Sequence, residues 1–217
     1  MFELYLFVKR VADSVLSLIG MLLLSPIFIV IILAIKFESR GPVFFKQKRL
    51  GKGKSYFEML KFRTMRMDTP KDTPTHLLKN PEQYITMTGK LLRKYSLDEL
   101  PQFWNIFVGD MSIIGPRPAL WNQDDLIVER EKYGVNNIKP GLTGWAQING
   151  RDELPISEKA NLDGVYAQKM SLGFDIKCFF MTIIKVLKSD GFIEGAVTDN
   201  NNETDATDKE YVITDKT

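Results

Sequence analysis

The chain has 217 residues, a net charge of +2 and 44% hydrophobic residues, which suits one folded domain with appendages and excludes a disordered or low-complexity chain. A single cysteine, Cys178, and a single histidine, His76, exclude an internal disulfide, a cysteine-based zinc cluster and a histidine-dependent triad, so chemistry here must run on carboxylates, lysines and arginines. The last twenty residues, Thr198–Thr217, net −4 and the remainder +6, a basic body that points to a membrane surface or a polyanionic ligand.

Residues 14–35 carry no charge, and these 22 residues at about 1.5 Å each reach roughly 33 Å, enough for a bilayer core. Ser25-Pro26 sits near the middle of the run. Proline breaks the helical hydrogen-bond ladder, so a kink is expected there, with a nearby Ser hydroxyl helping to satisfy the freed carbonyl. Lys9 and Arg10 precede the run; Lys36, Arg40, Lys46, Lys48, Arg49, Lys52, Lys54, Lys61, Arg63 and Arg66 follow it, against Glu38 and Glu58. Basic flanks favour the cytoplasmic side. A re-entrant hairpin that enters and leaves by one face and a simple spanning helix both fit that pattern. In either case the body is expected in the cytoplasm, and the lone cysteine agrees with a reducing compartment.

Gly41–Gln47 reads as a turn and short strand, Lys48–Ser55 as a basic loop, and Tyr56–Phe62 as a second strand that closes a hairpin. The polar stretch Thr69–Asn80, with Pro70, Pro74 and His76, reads as an exposed loop with a surface histidine. From Tyr95 to Val108, Leu97, Leu100, Phe103 and Phe107 recur at helical spacing, and Ser96 with Glu99 fits a capping box. Pro101 either makes the helix irregular there or delays its start by a residue or two, and both choices put Asp98 and Glu99 at a helix N-terminus, where the plainest role for two acids is to complement the helix dipole.

Gly115-Pro116-Arg117-Pro118 holds an arginine on a stiff backbone, which suits a forked grip on phosphate or serves as an ordinary turn. Residues Lys139–Arg151 are glycine-rich, and glycines let a backbone approach a ligand closely; the stretch is neither a dinucleotide fingerprint nor a P-loop. Phe174–Lys188 is apolar on most faces with Lys177, Lys185 and Lys188 along it, which fits a core helix or an interfacial one. The acidic stretch from Thr198 reads as a solvated, disordered tail.

Together these segments resemble the monotopic phosphoglycosyl transferases, the bacterial sugar transferases that begin polyprenol-linked glycan assembly. The likeness runs from about Lys9 to Glu194. It rests on the Ser25-Pro26 break, Lys61-Phe62-Arg63-Thr64-Met65, Ser96-Leu97-Asp98-Glu99-Leu100-Pro101-Gln102, Gly109-Asp110-Met111-Ser112, Gly115-Pro116-Arg117-Pro118, and Pro140–Gln147 with Gly150-Arg151, in that order. The chain looks like the minimal form, similar to the undecaprenyl-phosphate N,N'-diacetylbacillosamine-1-phosphate transferase type, without the extra N-terminal membrane helices of larger relatives.

The resemblance implies transfer of a sugar 1-phosphate from a UDP-sugar to undecaprenyl phosphate with release of UMP, a product for downstream glycosyltransferases. It implies Asp98 as the nucleophile that forms a covalent phosphosugar-enzyme, Glu99 as the adjacent acid/base, and Mg2+ bridging the diphosphate and Asp98. Lys61, Arg63, Arg93, Arg117 and Arg151 are the candidate phosphate-binding cations. The fold implied is α+β and helix-rich, with a small antiparallel sheet or hairpin. Residues 1–40 would form a re-entrant membrane helix broken at Ser25 and Pro26, residues 41–197 a cytoplasmic catalytic domain with interfacial amphipathic helices, and residues 198–217 the tail. That arrangement is monotopic, on the cytoplasmic face of the bacterial inner membrane, in contact with membrane lipids. Phosphoryl transfer needs cations and aligned N–H groups more than strong bases, which this residue set supplies. Two other readings stay open: a membrane-bound glycosyltransferase that releases UDP, and a non-enzymatic membrane-anchored adapter. A nucleic-acid partner is not expected, since a net +6 is modest and no recognition motif occurs.

Overall fold

The computed structural model describes residues 2–69, 81–150 and 154–188. Arg151, the Pro70–Asn80 stretch with His76, and the acidic tail lie outside the described residues. The chain starts with two helices, α1 (Phe2–Leu23) and α2 (Ser25–Glu38), bent by 61° at Leu24. Pro26 has no N–H to give the Leu22 carbonyl, and the Ser25 hydroxyl donates to that carbonyl at 2.8 Å in its place. The sequence located both the kink and its compensation.

Helix α1 is inside out compared with a helix of a water-soluble domain. Its buried positions are Asp13 and Ser17, and Gly20 abuts the Phe103 ring. Leu4, Phe7, Val11, Val15, Leu18 and Leu22 are exposed. Helix α2 buries Ile31 and Ile35 while exposing Ile29, Val30, Leu33 and Phe37. Among the described residues no single helix is long and apolar enough to cross a membrane; α1 and α2 meet that test only together, as a bent pair.

The polar stripe of α1 is bonded to the rest of the fold. Arg10 donates to the carbonyls of Ile106 and Phe107 at 2.8 Å, capping the C-terminus of α4 (Gln102–Val108). Asp13 accepts from the Ser112 hydroxyl at 2.7 Å and the Ile113 N–H at 3.0 Å. Lys9 and Tyr5 both donate to Asp175. Lys9 and Arg10, readable as flanking charges that set topology, are therefore joints between α1 and the body.

Strands β1 (Phe44–Leu50) and β2 (Tyr56–Phe62) form the expected antiparallel hairpin, with Phe44 opposite Phe62 and Leu50 opposite Tyr56. The loop expected from Lys48 begins at Gly51 instead. Lys48 and Arg49 belong to the strand because each has a partner there: the Lys48 ammonium lies 4.1 Å from the Tyr56 ring centroid, and Arg49 donates to the Pro118 carbonyl at 2.9 Å. Helix α3 (Met87–Lys94) starts at a Thr86 cap and receives Glu38 from α2, which accepts from the Met87 and Thr88 N–H groups.

A second strand pair, β3 (Ser112–Ile114) and β4 (Gly141–Thr143), is parallel, so the sheet content is not the antiparallel hairpin alone. Two glycines of the Lys139–Arg151 stretch, Gly141 and Gly144, serve this crossing. A Cβ on Gly141 or Gly144 would fall 2.1 Å from the Gly115 backbone. Around the pair pack α6 (Trp145–Ile148), α7 (Ile156–Lys169) and α8 (Leu172–Lys188), and α5 (Asp124–Glu131) packs on α7. Helix α8 has one buried and one exposed apolar face. Cys178 is fully buried beside Tyr166 and Ile114, while Ile176, Phe179, Phe180 and Ile183 are exposed. Burial and the neighbouring Asp175 push the Cys178 thiol up to about 11, so it acts as a neutral packing group.

Two glycines should therefore respond in opposite ways. Gly144→Ala is expected to cost about 1–3 kcal/mol through backbone overlap with Gly115. Gly173→Ala, in α8 with open space around its Cβ position, is expected to be neutral or stabilising by about 0.4–1 kcal/mol. Thermal unfolding of the detergent-solubilised protein reads both.

Candidate active site

Asp98 and Glu99 lie on a 3-10 turn, Leu97–Glu99, that runs through Leu100 and Pro101 into α4. The capping box does not form. Ser96 adopts a left-handed backbone, φ +52°, and its side chain caps nothing among the described residues. Pro101, which cannot donate, stands just before the first residue of α4, so the helix starts later than the spacing suggests. The turn and α4 nevertheless share one buried stripe: Asp98, Glu99, Gln102, Asn105 and Ile106. Leu97 and Leu100 point the other way, into the cluster of Ile31, Ile35, Phe62 and Leu92.

Both acids are buried, Asp98 with 3% and Glu99 with 8% of its surface exposed. Buried carboxylates need opposite charge. Alternation along β2 puts Phe57, Met59 and Lys61 on the face that packs on α4. From there Lys61 Nζ reaches Glu99 Oε1 at 3.0 Å and Asp98 Oδ2 at 3.9 Å. Arg117 Nη2 meets the same Glu99 Oε1 at 3.0 Å.

Three further contacts fix this geometry. Asn105 accepts from the Leu60 N–H at 2.9 Å and donates to the Glu58 carbonyl at 2.8 Å, standing in for a third strand along β2. The Arg117 carbonyl accepts from Arg130 Nη1 at 3.0 Å, and Arg130 Nε donates to buried Asp163 Oδ2 at 2.9 Å. The Gly141 N–H donates to the Pro116 carbonyl at 2.9 Å. The loop that carries Arg117 is held from both sides.

The structure thus brings Lys61 and Arg117 of the predicted cations to the acidic pair. Arg63 has a different occupation. Its guanidinium is buried and donates to the carbonyls of Arg40 at 3.0 Å and Ser39 at 2.8 Å, just past the C-terminus of α2. Arg93 Nε donates to the Thr64 hydroxyl at 3.0 Å. Sequence reading missed Asn105 and the Arg130–Asp163 pair. Asn105 carried a signal, a polar residue seven positions after Asp98 on the same helical face. Arg130 and Asp163 are 33 residues apart and carried none.

Among the described residues no three Asp, Glu, His or Cys side chains converge on one point. Two adjacent carboxylates still suit an ion such as Mg2+, which takes one or two carboxylates and completes its shell with substrate phosphates and water.

Two buried carboxylates are met by a strand lysine and by an arginine on a braced Pro-Arg-Pro loop, side chains of the kind that phosphate chemistry employs. The chain belongs to the bacterial sugar transferase family, whose pattern matches residues 4–189. Membership makes it an enzyme and sets aside the anchored adapter without chemistry. It is 39% identical over 183 residues to the uncharacterized sugar transferase EpsL of Bacillus subtilis strain 168, covering 84% of this chain and 89% of that protein. It is 40% identical over 195 residues to a UDP-glucose:undecaprenyl-phosphate glucose-1-phosphate transferase of Escherichia coli K12, covering 87% of this chain and 41% of that protein. It is 36% identical over 194 residues to a UDP-N-acetylgalactosamine-undecaprenyl-phosphate N-acetylgalactosaminephosphotransferase of Aeromonas hydrophila, covering 87% and 45%. The chain spans less than half the length of these last two relatives. They are named for glucose and N-acetylgalactosamine, not for the N,N'-diacetylbacillosamine suggested by the minimal form.

Asn105→Leu removes both partners from β2 and is expected to cost about 1–3 kcal/mol or more, since buried backbone groups lose their bonds. A lowered denaturant midpoint with an unchanged m-value checks this.

Proposed function

We propose that this enzyme transfers a sugar 1-phosphate from a UDP-sugar to undecaprenyl phosphate and releases UMP, as the first membrane step of an exopolysaccharide or related glycan. The observation that carries the reading is the buried Asp98–Glu99 pair with Lys61 and Arg117 on Glu99. The family match and the printed names of the relatives, which include an exopolysaccharide production protein of Rhizobium meliloti, support the substrates.

The chemistry runs in two displacements. An Asp98 carboxylate oxygen attacks the β-phosphorus of the UDP-sugar; the new P–O bond forms as the bond to the UMP oxygen breaks. An oxygen of the lipid phosphate then attacks the same phosphorus, the Asp98–phosphorus bond breaks, and Glu99 takes the proton that the attacking phosphate releases. Lys61 and Arg117 neutralise Glu99 in the resting enzyme and lie where an incoming diphosphate can share them. When bound at Asp98, Mg2+ would supply further neutralisation of the diphosphate.

The lipid acceptor needs a site at the bilayer surface. The inside-out α1, the 61° bend at Ser25-Pro26 and the exposed apolar face of α8 support a shallow re-entrant anchor on the cytoplasmic face. Leu97 and Leu100, next to the acids, pack directly on α2, which keeps the pair near that anchor.

Purified enzyme given undecaprenyl phosphate, Mg2+ and UDP-glucose, UDP-galactose or UDP-N-acetylgalactosamine should release UMP from at least one sugar, with Asp98→Asn lowering the rate at least about 1000-fold. UDP as the product would move the enzyme to the glycosyltransferase alternative. Phe180→Glu, on the exposed face of α8, should weaken binding to anionic vesicles and leave thermal stability in detergent unchanged.

A further inference from the structure

Three buried side-chain atoms have no hydrogen-bond partner among the described residues: Gln102 Nε2, Gln147 Oε1 and Asp163 Oδ1. Of these, only Gln102 lies on the stripe that carries the acidic pair. It is 1% exposed, sits four residues after Asp98 and three after Glu99, and precedes Asn105, which is bonded to β2. Side chains on a helix lean toward its N-terminus and cover the preceding turn. A side chain at position 102, the first of α4, therefore leans toward the 3-10 turn that holds Asp98 and Glu99.

An orphaned buried donor is costly, about 1–3 kcal/mol, and native proteins rarely keep one without a use. No described residue accepts from Gln102 Nε2. Gln102 helps neither the β2 edge, which Asn105 serves, nor the Arg117 loop, which Arg130 serves. The reaction brings a new acceptor to this donor: the oxygens of the phosphoryl group that moves to and from Asp98.

We infer that the Gln102 side-chain amide is a catalytic donor that binds an oxygen of the transferred phosphoryl group beside Asp98. The inference rests on the proposed phosphoryl transfer at that pair. A neutral amide suits the position. It stabilises charge as the phosphorus becomes five-coordinate, without adding a third cation that would compete with Lys61 and Arg117 for Glu99.

The test uses Gln102→Met, which keeps volume and removes the donor, with Gln102→Leu as a second apolar variant and Asp98→Asn as the control. UMP release is measured with whichever of UDP-glucose, UDP-galactose or UDP-N-acetylgalactosamine the unaltered enzyme uses. Removing an orphaned donor should leave Tm unchanged or raise it, while kcat falls about 100-fold or more and KM for the UDP-sugar changes less than about threefold. Wild-type kcat in both apolar variants would overturn the inference. So would a drop in Tm of several degrees in both, because it would mean that the amide serves the fold. Full activity in Asp98→Asn would instead sink the parent reading, whatever the Gln102 variants do.

Discussion

One oxygen of Glu99 organises the molecule. It is buried, charged and shared by Lys61 and Arg117, each at 3.0 Å. A buried carboxylate is tolerable only with such partners. Three segments that are distant in sequence must therefore converge: strand β2, the 3-10 turn before α4, and the Pro-Arg-Pro loop. Much of the remaining architecture holds them in register. Asn105 binds α4 to the β2 edge, Arg130 and Asp163 hold the Arg117 carbonyl, and two glycines with no room for a side chain let β4 cross under Gly115. Removing either cation would not merely weaken a contact; it would leave a buried charge facing fewer opposite charges.

The same strand also carries the link to the bent helix pair α1–α2. Phe62, next to Lys61, stacks with the Phe44 ring and packs on α2, and Arg63 follows with its guanidinium over the last carbonyls beyond that helix. The acidic turn closes this cluster through Leu97 and Leu100. From the other side Arg10 of α1 caps α4, the helix that continues from the turn. Both arms of the bent pair are thus fastened within a few residues of the carboxylates. The proposed transfer from a soluble nucleotide-sugar to a membrane lipid needs that proximity, because the lipid phosphate cannot leave the interface.

Local features were readable from the sequence. Ser25-Pro26 announced its kink because proline's missing N–H acts at one residue. The hairpin followed from two short strands around a glycine turn. Asp98 and Glu99 stood out as adjacent acids on an apolar helical repeat, and Arg117 as an arginine between prolines. Features set by tertiary partners were hidden. Ser96 resembled a cap, but its backbone is left-handed and its side chain caps nothing among the described residues. Lys48 and Arg49 resembled loop residues until Tyr56 and the Pro118 carbonyl gave them partners. Arg63 resembled a phosphate ligand, and only the fold revealed the helix end it serves. The parallel pairing of β3 with β4 joins three-residue strands about 30 residues apart, too short for any periodicity to register.

The most direct test of covalent transfer through Asp98 is the mass of the enzyme after incubation with UDP-glucose, UDP-galactose or UDP-N-acetylgalactosamine and Mg2+, without lipid acceptor. A stoichiometric gain of one sugar phosphate on the peptide bearing Asp98, discharged when undecaprenyl phosphate is added, is the predicted result. Steady UMP formation from a protein that never gains that mass, even when quenched during turnover, would contradict it and point to direct attack by the lipid phosphate.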